Sequence, residues 1–136
     1  MATVTASRGY ETPPEAVRSA VLADIYEFIA ASGFDSVTVE GDRYTVSRRI
    51  GVATLELTLE RVETDQLLEF DQVDGIFDTM WTEYRLEGTT SGCELLARTE
   101  FELGGVLGPV LDNTMIRRQR RNEFTGQFEY VAEAVE

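Results

Sequence analysis

Residues 93–135 read CELLARTEFELGGVLGPVLDNTMIRRQRRNEFTGQFEYVAEAV, and a change of period inside this segment carries most of the architectural information. Up to Leu103 the period is two: Cys93, Leu95, Ala97, Thr99, Phe101 and Leu103 alternate with Glu94, Leu96, Arg98, Glu100 and Glu102. A strand with one dry and one wet face reads this way, because successive side chains leave a pleated chain on opposite sides. Gly104-Gly105 ends the alternation, and from about Val106 to Val135 the spacing is helical. Leu107, Val110, Leu111 and Thr114 share one face, and Phe124, Phe128, Val131 and Val135 continue it. The chain therefore closes as a sheet strand leading into one long helix.

The same alternation extends backwards from Cys93 to Phe34. Met80, Thr82, Tyr84 and Leu86 alternate with Trp81, Glu83, Arg85 and Glu87; Leu55, Leu57 and Leu59 alternate with Glu56, Thr58 and Glu60. Tyr44, Val46, Arg48 and Ile50 keep one phase, and Val37 and Val39 another short one. Gly41-Asp42, Gly51, Asp74-Gly75 and the Gly88–Gly92 segment separate these runs, so short turns make the strands antiparallel neighbours. Residues 2–11 read as a first strand. Thr12-Pro13-Pro14-Glu15 then predicts a helix start, with Thr12 as N-cap, Pro13 in the first position and Glu15 reaching back. Val17, Val21, Ile25, Phe28 and Ile29 follow at helical spacing, Asp24 interrupts that face, and Gly33 suits the end; one broken helix and two short ones both fit. The reading is one domain over residues 1–136: a strand, a helical segment, about six strands and a helix.

Composition limits the function classes. Twelve basic residues, all arginine, face 25 acidic ones, for a net charge of −13. Such a field repels nucleic-acid phosphates and anionic lipid, and keeps a chain dissolved where salt screens its self-repulsion. A salt-in halophilic source fits the missing lysines; an acidic protein from an arginine-biased genome fits as well. Histidine is absent, which removes Ser-His-Asp and Cys-His catalysis and imidazole metal sites. Cys93 is alone, so no internal disulfide forms. Met1–Tyr10 has no signal-peptide pattern and no apolar run spans a bilayer, so the expected location is cytoplasmic, with no integral membrane association.

This order of elements resembles the START-like superfamily, the helix-grip fold also known from the birch-pollen allergen. Within it the chain looks most like the polyketide cyclase/dehydrase-type branch. An opening strand running into Thr12-Pro13-Pro14-Glu15-Ala16-Val17 carries the likeness at one end. Gly104-Gly105-Val106-Leu107-Gly108-Pro109-Val110-Leu111, followed by Arg117-Arg118-Gln119-Arg120-Arg121, carries it at the other. The family often has Trp soon after the Pro-Glu motif, where this chain has Arg18 and Ser19. The resemblance implies an α+β fold: a strongly curved antiparallel sheet of about seven strands (β-α-α-β6-α) wrapped around a long C-terminal helix. The branch includes lipid carriers, quinone-binding chaperones and cyclases, and fold does not choose among them.

A sheet bent around one helix encloses more space than side chains easily fill, and ligand sites favour such concave, mostly apolar places. By alternation Tyr44, Val46, Leu55, Leu57, Phe70, Met80, Tyr84, Leu95 and Phe101 point inward, with Leu111 and Met115 closing the space from the helix. Arg48 shares the inward phase, and a buried guanidinium requires a carboxylate or an anionic ligand; a strand-end or bulged position reaching solvent is the plain alternative. Gln72, Thr82 and Thr99 are also in phase. The candidate ligand-binding set is Tyr44, Arg48, Leu57, Phe70, Met80, Thr82, Tyr84, Thr99, Phe101, Leu111 and Met115. Arg117, Arg118, Arg120 and Arg121 read as a solvated helix face paired with Asp112 and Glu123, with Arg117 or Arg121 at a pocket mouth as a narrower option. Cys93 reads as an inert core thiol, Trp81 as a residue of either face.

The leading functional expectation is binding or transport of an apolar small molecule (lipid, quinone or polyketide-like), with no metal and no cofactor. Two alternatives stand beside it. One is a cyclase/dehydrase-type enzyme using Tyr44, Tyr84 and Arg48. The other is a chaperone-like or stress-related interaction module acting through Trp81 and the sheet edge.

Overall fold

The structure, a computed structural model, describes residues 1–104 and 112–136. In chain order the elements are β1 (Ala2–Tyr10), α1 (Pro14–Leu22), α2 (Ile25–Ala30), β2 (Ser36–Glu40), β3 (Arg43–Ile50), β4 (Ala53–Arg61), β5 (Leu68–Asp74), β6 (Phe77–Gly88), β7 (Cys93–Leu103) and α3 (Asn113–Val135). The strands form one antiparallel sheet in the order β1-β7-β6-β5-β4-β3-β2. From β2 to β7 each strand pairs with its successor, as the short turns predict. The α1–α2 segment carries the chain from β1, at one edge, to β2 at the other. Register shifts between Thr58 and Leu59 and between Phe77 and Thr79 interrupt two ladders. Such bulges bend a strand and increase its twist, which helps the sheet curl. The α+β helix-grip architecture implied by the family resemblance is the one observed.

Two helix starts differ from the sequence reading. The first N-cap is Pro13, not Thr12, and no side chain caps it. Pro13 is extended (φ −61°, ψ 149°) because the ring of Pro14 disfavours helical geometry in the residue before it. Helix α3 begins at Asn113, after Asp112, an extended residue whose carboxylate accepts from the Met115 amide at 2.8 Å. Of the residues assigned to its early turns, Thr114 is exposed, while Leu107, Val110 and Leu111 lie outside the described residues. The helical segment before the sheet is two helices. Ala23 ends the first, and Asp24 caps the second, accepting from the Glu27 amide at 3.1 Å.

The sheet's dry face and one face of α3 share a core. Tyr84 lies edge-on to Phe28 (5.1 Å between ring centres) and to Phe124 (6.0 Å), which ties β6 to α2 and α3. Tyr10 donates from its hydroxyl to the Phe128 carbonyl at 2.8 Å, fixing β1 to α3. Helix α3 passes so close to the end of α2 that a Cβ on Gly126 would lie 2.3 Å from the Ala31 carbonyl oxygen. Among the described residues, no helix is long and apolar enough to cross a membrane.

Alanine normally stabilises a helix interior relative to glycine by about 0.5–1 kcal/mol. At Gly126 the sign reverses, because the clashing atom is backbone. Gly126→Ala is expected to lower stability by about 1–2 kcal/mol in urea unfolding, with the midpoint moving down rather than up.

Candidate functional site

The inner face of α3 is not uniformly apolar. Ile116, Arg120, Glu123, Phe124, Gln127, Phe128, Val131 and Ala132 are its buried residues, so three polar side chains lie under the sheet. Arg120 and Glu123 retain only 9% and 5% of their side-chain exposure and form an ion pair one helical turn apart. The other guanidinium nitrogen, Nη2, donates to Thr82 Oγ1 at 2.9 Å. Thr82 and Thr99 face each other on β6 and β7 with hydroxyls 3.0 Å apart, and Thr99 Oγ1 donates to the Trp81 carbonyl at 2.8 Å. A hydroxyl has one proton, so Thr82 must donate to Thr99. The chain of donors runs Arg120, Thr82, Thr99, Trp81 carbonyl, with each hydroxyl satisfied.

Arg48 comes to the same carboxylate from β3. Its Nε lies 3.6 Å from Glu123 Oε2, its Nη2 donates to the Ser32 carbonyl at 3.0 Å, and its side chain is 20% exposed. Gln119 donates to Glu123 Oε2 at 3.1 Å. Each guanidinium rests on an aromatic ring, Arg48 over Phe34 at 5.3 Å and Arg120 over Phe124 at 4.7 Å. Thus Glu123 is shared by two cations. Both Nε groups are buried and lack a hydrogen-bond acceptor among the described residues; the 3.6 Å contact is an ion pair, too long for a hydrogen bond. A buried donor left unpaired costs about 1–3 kcal/mol.

These groups border a partly open space of about 30 Å³. Val46 and Arg48 of β3, Leu55 and Leu57 of β4, and Phe77 and Met80 of β6 line it, with Phe34 from the loop before β2. Ile116, Gln119, Arg120 and Glu123 close it from α3. One water needs about 10–15 Å³, and a cavity that takes benzene has about 150 Å³. In this state the space therefore takes a water or two, or one compact head group.

Of the residues singled out from sequence, Arg48, Leu57 and Met80 line this space. Tyr44, Phe70, Tyr84, Thr82, Thr99 and Phe101 are buried, but none of them is among the residues that line it. Tyr84 donates to Gln127 Oε1 at 2.7 Å, and Tyr44 packs edge-on against Phe70. Met115 is 39% exposed, and the inward position on that turn belongs to Ile116. Leu111 lies outside the described residues. Gln72 closes the β5–β6 turn instead, bonding both the amide and the carbonyl of Phe77. Trp81 points to the other face of the sheet, where Nε1 donates to Glu69 at 2.8 Å. The solvated face expected for the arginine run needs correction at one position: Arg117, Arg118 and Arg121 are exposed or nearly so, whereas Arg120 is buried. Sequence reasoning also missed Gln119 and Gln127 and gave Glu123 only a surface role. The ladder Ile116, Arg120, Glu123, Gln127, Val131 was the signal available. No group of three or more His, Cys, Asp or Glu able to hold a metal occurs among the described residues.

Burial pushes the Tyr84 phenol up to about 12, with nearby Glu123 adding to the effect and Arg120 opposing it. Burial likewise raises Tyr10, Tyr44 and Cys93 above their ordinary values. Tyr84 thus stays protonated near neutral pH as a donor to Gln127, a poor starting point for a general base.

Two outcomes follow from this geometry. Arg120→Met leaves Glu123 buried with only the longer contact to Arg48 as ionic support, and is expected to cost about 3 kcal/mol. Arg120→Met/Glu123→Met removes both charges and should recover most of that loss in the same denaturant titration. As for pH, the native Tyr84 phenol keeps its proton to about pH 12, while an unfolded tyrosine loses it near pH 10. The unfolded state then binds fewer protons, so this contribution is intact below pH 10 and is lost as pH rises through 12. Between about pH 9 and 11.5, Tyr84→Phe should lose roughly 2 kcal/mol less stability than the parent chain.

No protein-family model matches the chain, and no curated protein sequence matches it. Solved structures do. Over 99% of this chain and 100% of the other, the Thermus thermophilus protein TTHA0849 superposes with a TM-score of 0.78 at 19% identity. A START superfamily protein from Mycobacterium smegmatis gives 0.68 at 7% identity, covering 98% of this chain and 96% of that one. The di-domain ARO/CYC protein StfQ, from the steffimycin biosynthetic pathway, gives 0.70 at 11% identity, with 98% of this chain on 50% of that one. At these identities the likeness is one of architecture, and the seven-stranded sheet closed by α3 is a START-like, helix-grip fold.

Proposed function

We propose that the protein binds a mostly apolar small molecule between the sheet and the N-terminal half of α3. The observation that carries this reading is the composition of the cavity wall. Among the described residues, seven apolar side chains from β3, β4, β6, α3 and the loop before β2 line the cavity together with a confined group of polar ones. Ligand sites have this make-up: apolar walls for affinity and a few polar groups for orientation.

The volume of about 30 Å³ is smaller than a ring or chain needs, so binding requires the wall to give way. Two features favour this. The α3 backbone runs closest to β1, β7, α1 and α2, while over β3 and β4 it is held through Ile116, Gln119, Arg120 and Glu123. Met80 is unbranched and repacks readily around a guest. Lipid, quinone or polyketide-like molecules all fit this description, and a carrier role needs no further chemistry.

The cyclase/dehydrase reading has less support. Tyr84 is occupied by Gln127 with its phenol held neutral, and Tyr44 is packed against Phe70 with its phenol raised by burial. Neither is placed to exchange a proton with a guest in the space. The interaction-module reading has less still, since Trp81 is already engaged by Glu69.

A guest bound only by the folded state stabilises it. At a free concentration about one hundred times its Kd the gain is about 2.7 kcal/mol, on the order of 8 °C in melting temperature. Fractionated apolar extract from the native host should contain a component that produces such a shift. The same component should be recovered by mass spectrometry from protein purified out of that host. Uniformly flat melting curves across all fractions, with nothing released from the native protein, would defeat the binding reading.

A further inference from the structure

We infer that the head group taken by this cavity is a carboxylate, held between Arg48 and Arg120 in competition with Glu123. The inference rests on the binding reading above and narrows it to a ligand class. Among the described residues that line the space, two guanidinium groups face one carboxylate, so the cluster carries one positive charge more than it neutralises. Buried charges are kept where they have partners. Here each cation keeps one Nε–H without an acceptor, and Arg120, the more deeply buried, retains only 9% of its side-chain exposure. Two unfilled N–H donors on two cations match the two oxygens of a carboxylate. An uncharged oxygen would leave the excess charge in place.

The other polar neighbours do not supply that anion. Thr82 and Thr99 are consumed by the donor chain to the Trp81 carbonyl, Gln119 donates to Glu123, and Tyr84 donates to Gln127. Ser32 offers Arg48 only its backbone carbonyl. The small volume also suits a compact head group. Both Nε atoms are shut off from the space in the present arrangement. A guest carboxylate therefore reaches them as Glu123 swings aside or the guanidiniums turn, which makes Glu123 a built-in competitor for the same donors.

The test compares matched acid and alcohol probes at neutral pH by titration calorimetry: octanoate with 1-octanol, and 2-naphthoate with 2-naphthalenemethanol. The expected result is that at least one acid binds about ten-fold or more tightly than its alcohol. That ratio should collapse toward one in Arg48→Gln, a partly exposed position whose loss the fold should survive. In Arg120→Gln/Glu123→Gln the excess of one positive charge stays, on Arg48, and the competitor is gone, so the acid should keep its preference; a collapsed ratio there would overturn the excess-charge argument. Glu123→Gln alone should tighten the acid several-fold and leave the alcohol unchanged. Acid and alcohol binding equally to the parent chain would overturn the carboxylate inference while leaving an apolar site intact. Binding of neither member of either pair would overturn the inference together with the reading it rests on. Weaker acid binding in Glu123→Gln would overturn the competitor role.

Discussion

The shared carboxylate of Glu123 is the constraint on which the arrangement of this interior depends. Helix α3 has to cover the dry face of the sheet, yet it brings Arg120, Glu123 and Gln127 to that face. Polar groups are tolerated there because each has a partner in a fixed place: Arg120 and Arg48 for Glu123, Thr82 for Arg120, Tyr84 for Gln127. Buried ionic groups of this kind seldom add net stability over well-packed apolar ones. What they supply is register. A rotation of α3 by one residue would strand Glu123 away from Arg48 and Arg120 away from Thr82, and each stranded group would carry its desolvation penalty. Among the described residues, the two orphaned Nε donors show that the match is incomplete on the cationic side.

The sheet contributes the other half of the geometry. The register that sets Thr82 opposite Thr99 makes the hydroxyl pair, and the pairing of Arg48 with Leu55 puts the guanidinium beside an apolar wall. The two ends of α3 differ in consequence. Toward its C-terminus, Phe124, Phe128 and Val131 pack in the core with Tyr84, Phe28 and the Tyr10 hydroxyl, and Gly126 admits the end of α2 at backbone contact. Toward its N-terminus the contacts with β3 and β4 are side-chain contacts around a void. Anchoring is thus close at one end of α3 and looser at the other, the arrangement that the proposed binding of a guest would require.

Much of this was legible in the chain. Alternation placed Tyr44, Val46, Leu57, Phe70, Met80, Tyr84, Leu95 and Phe101 on the dry face, and all are buried. It also put Arg48 inward, because a strand's period of two leaves a residue only two choices. Arg120 was harder to see. It sits in a run of four arginines, and the run was read as one solvated surface, although a helix turns about 100° per residue and splits such a run between faces. Met115 and Ile116 exchanged roles for the same reason. The start of α1 was misread because two consecutive prolines were weighed only as favourable at a helix start, without the restriction that Pro14 places on Pro13. The volume of the cavity was not legible at all: periodicity tells which face is dry, whereas filling depends on how specific side chains interdigitate.

Charge acts in opposite senses at two distances. The chain carries −13 overall, so its outer field repels an approaching carboxylate. The cavity cluster carries a local excess of one positive charge. The outer term acts through solvent, where the screening length falls from about 8 Å at physiological ionic strength to about 3 Å at roughly 1 M salt. The inner term acts between buried groups and is screened far less. Raising salt therefore lowers the barrier to encounter while leaving the held state nearly untouched. For a guest of the proposed class, the exterior governs how fast it arrives and the interior governs which guest stays. Both would work together best in a concentrated electrolyte, the condition under which a surface this acidic also stays dispersed.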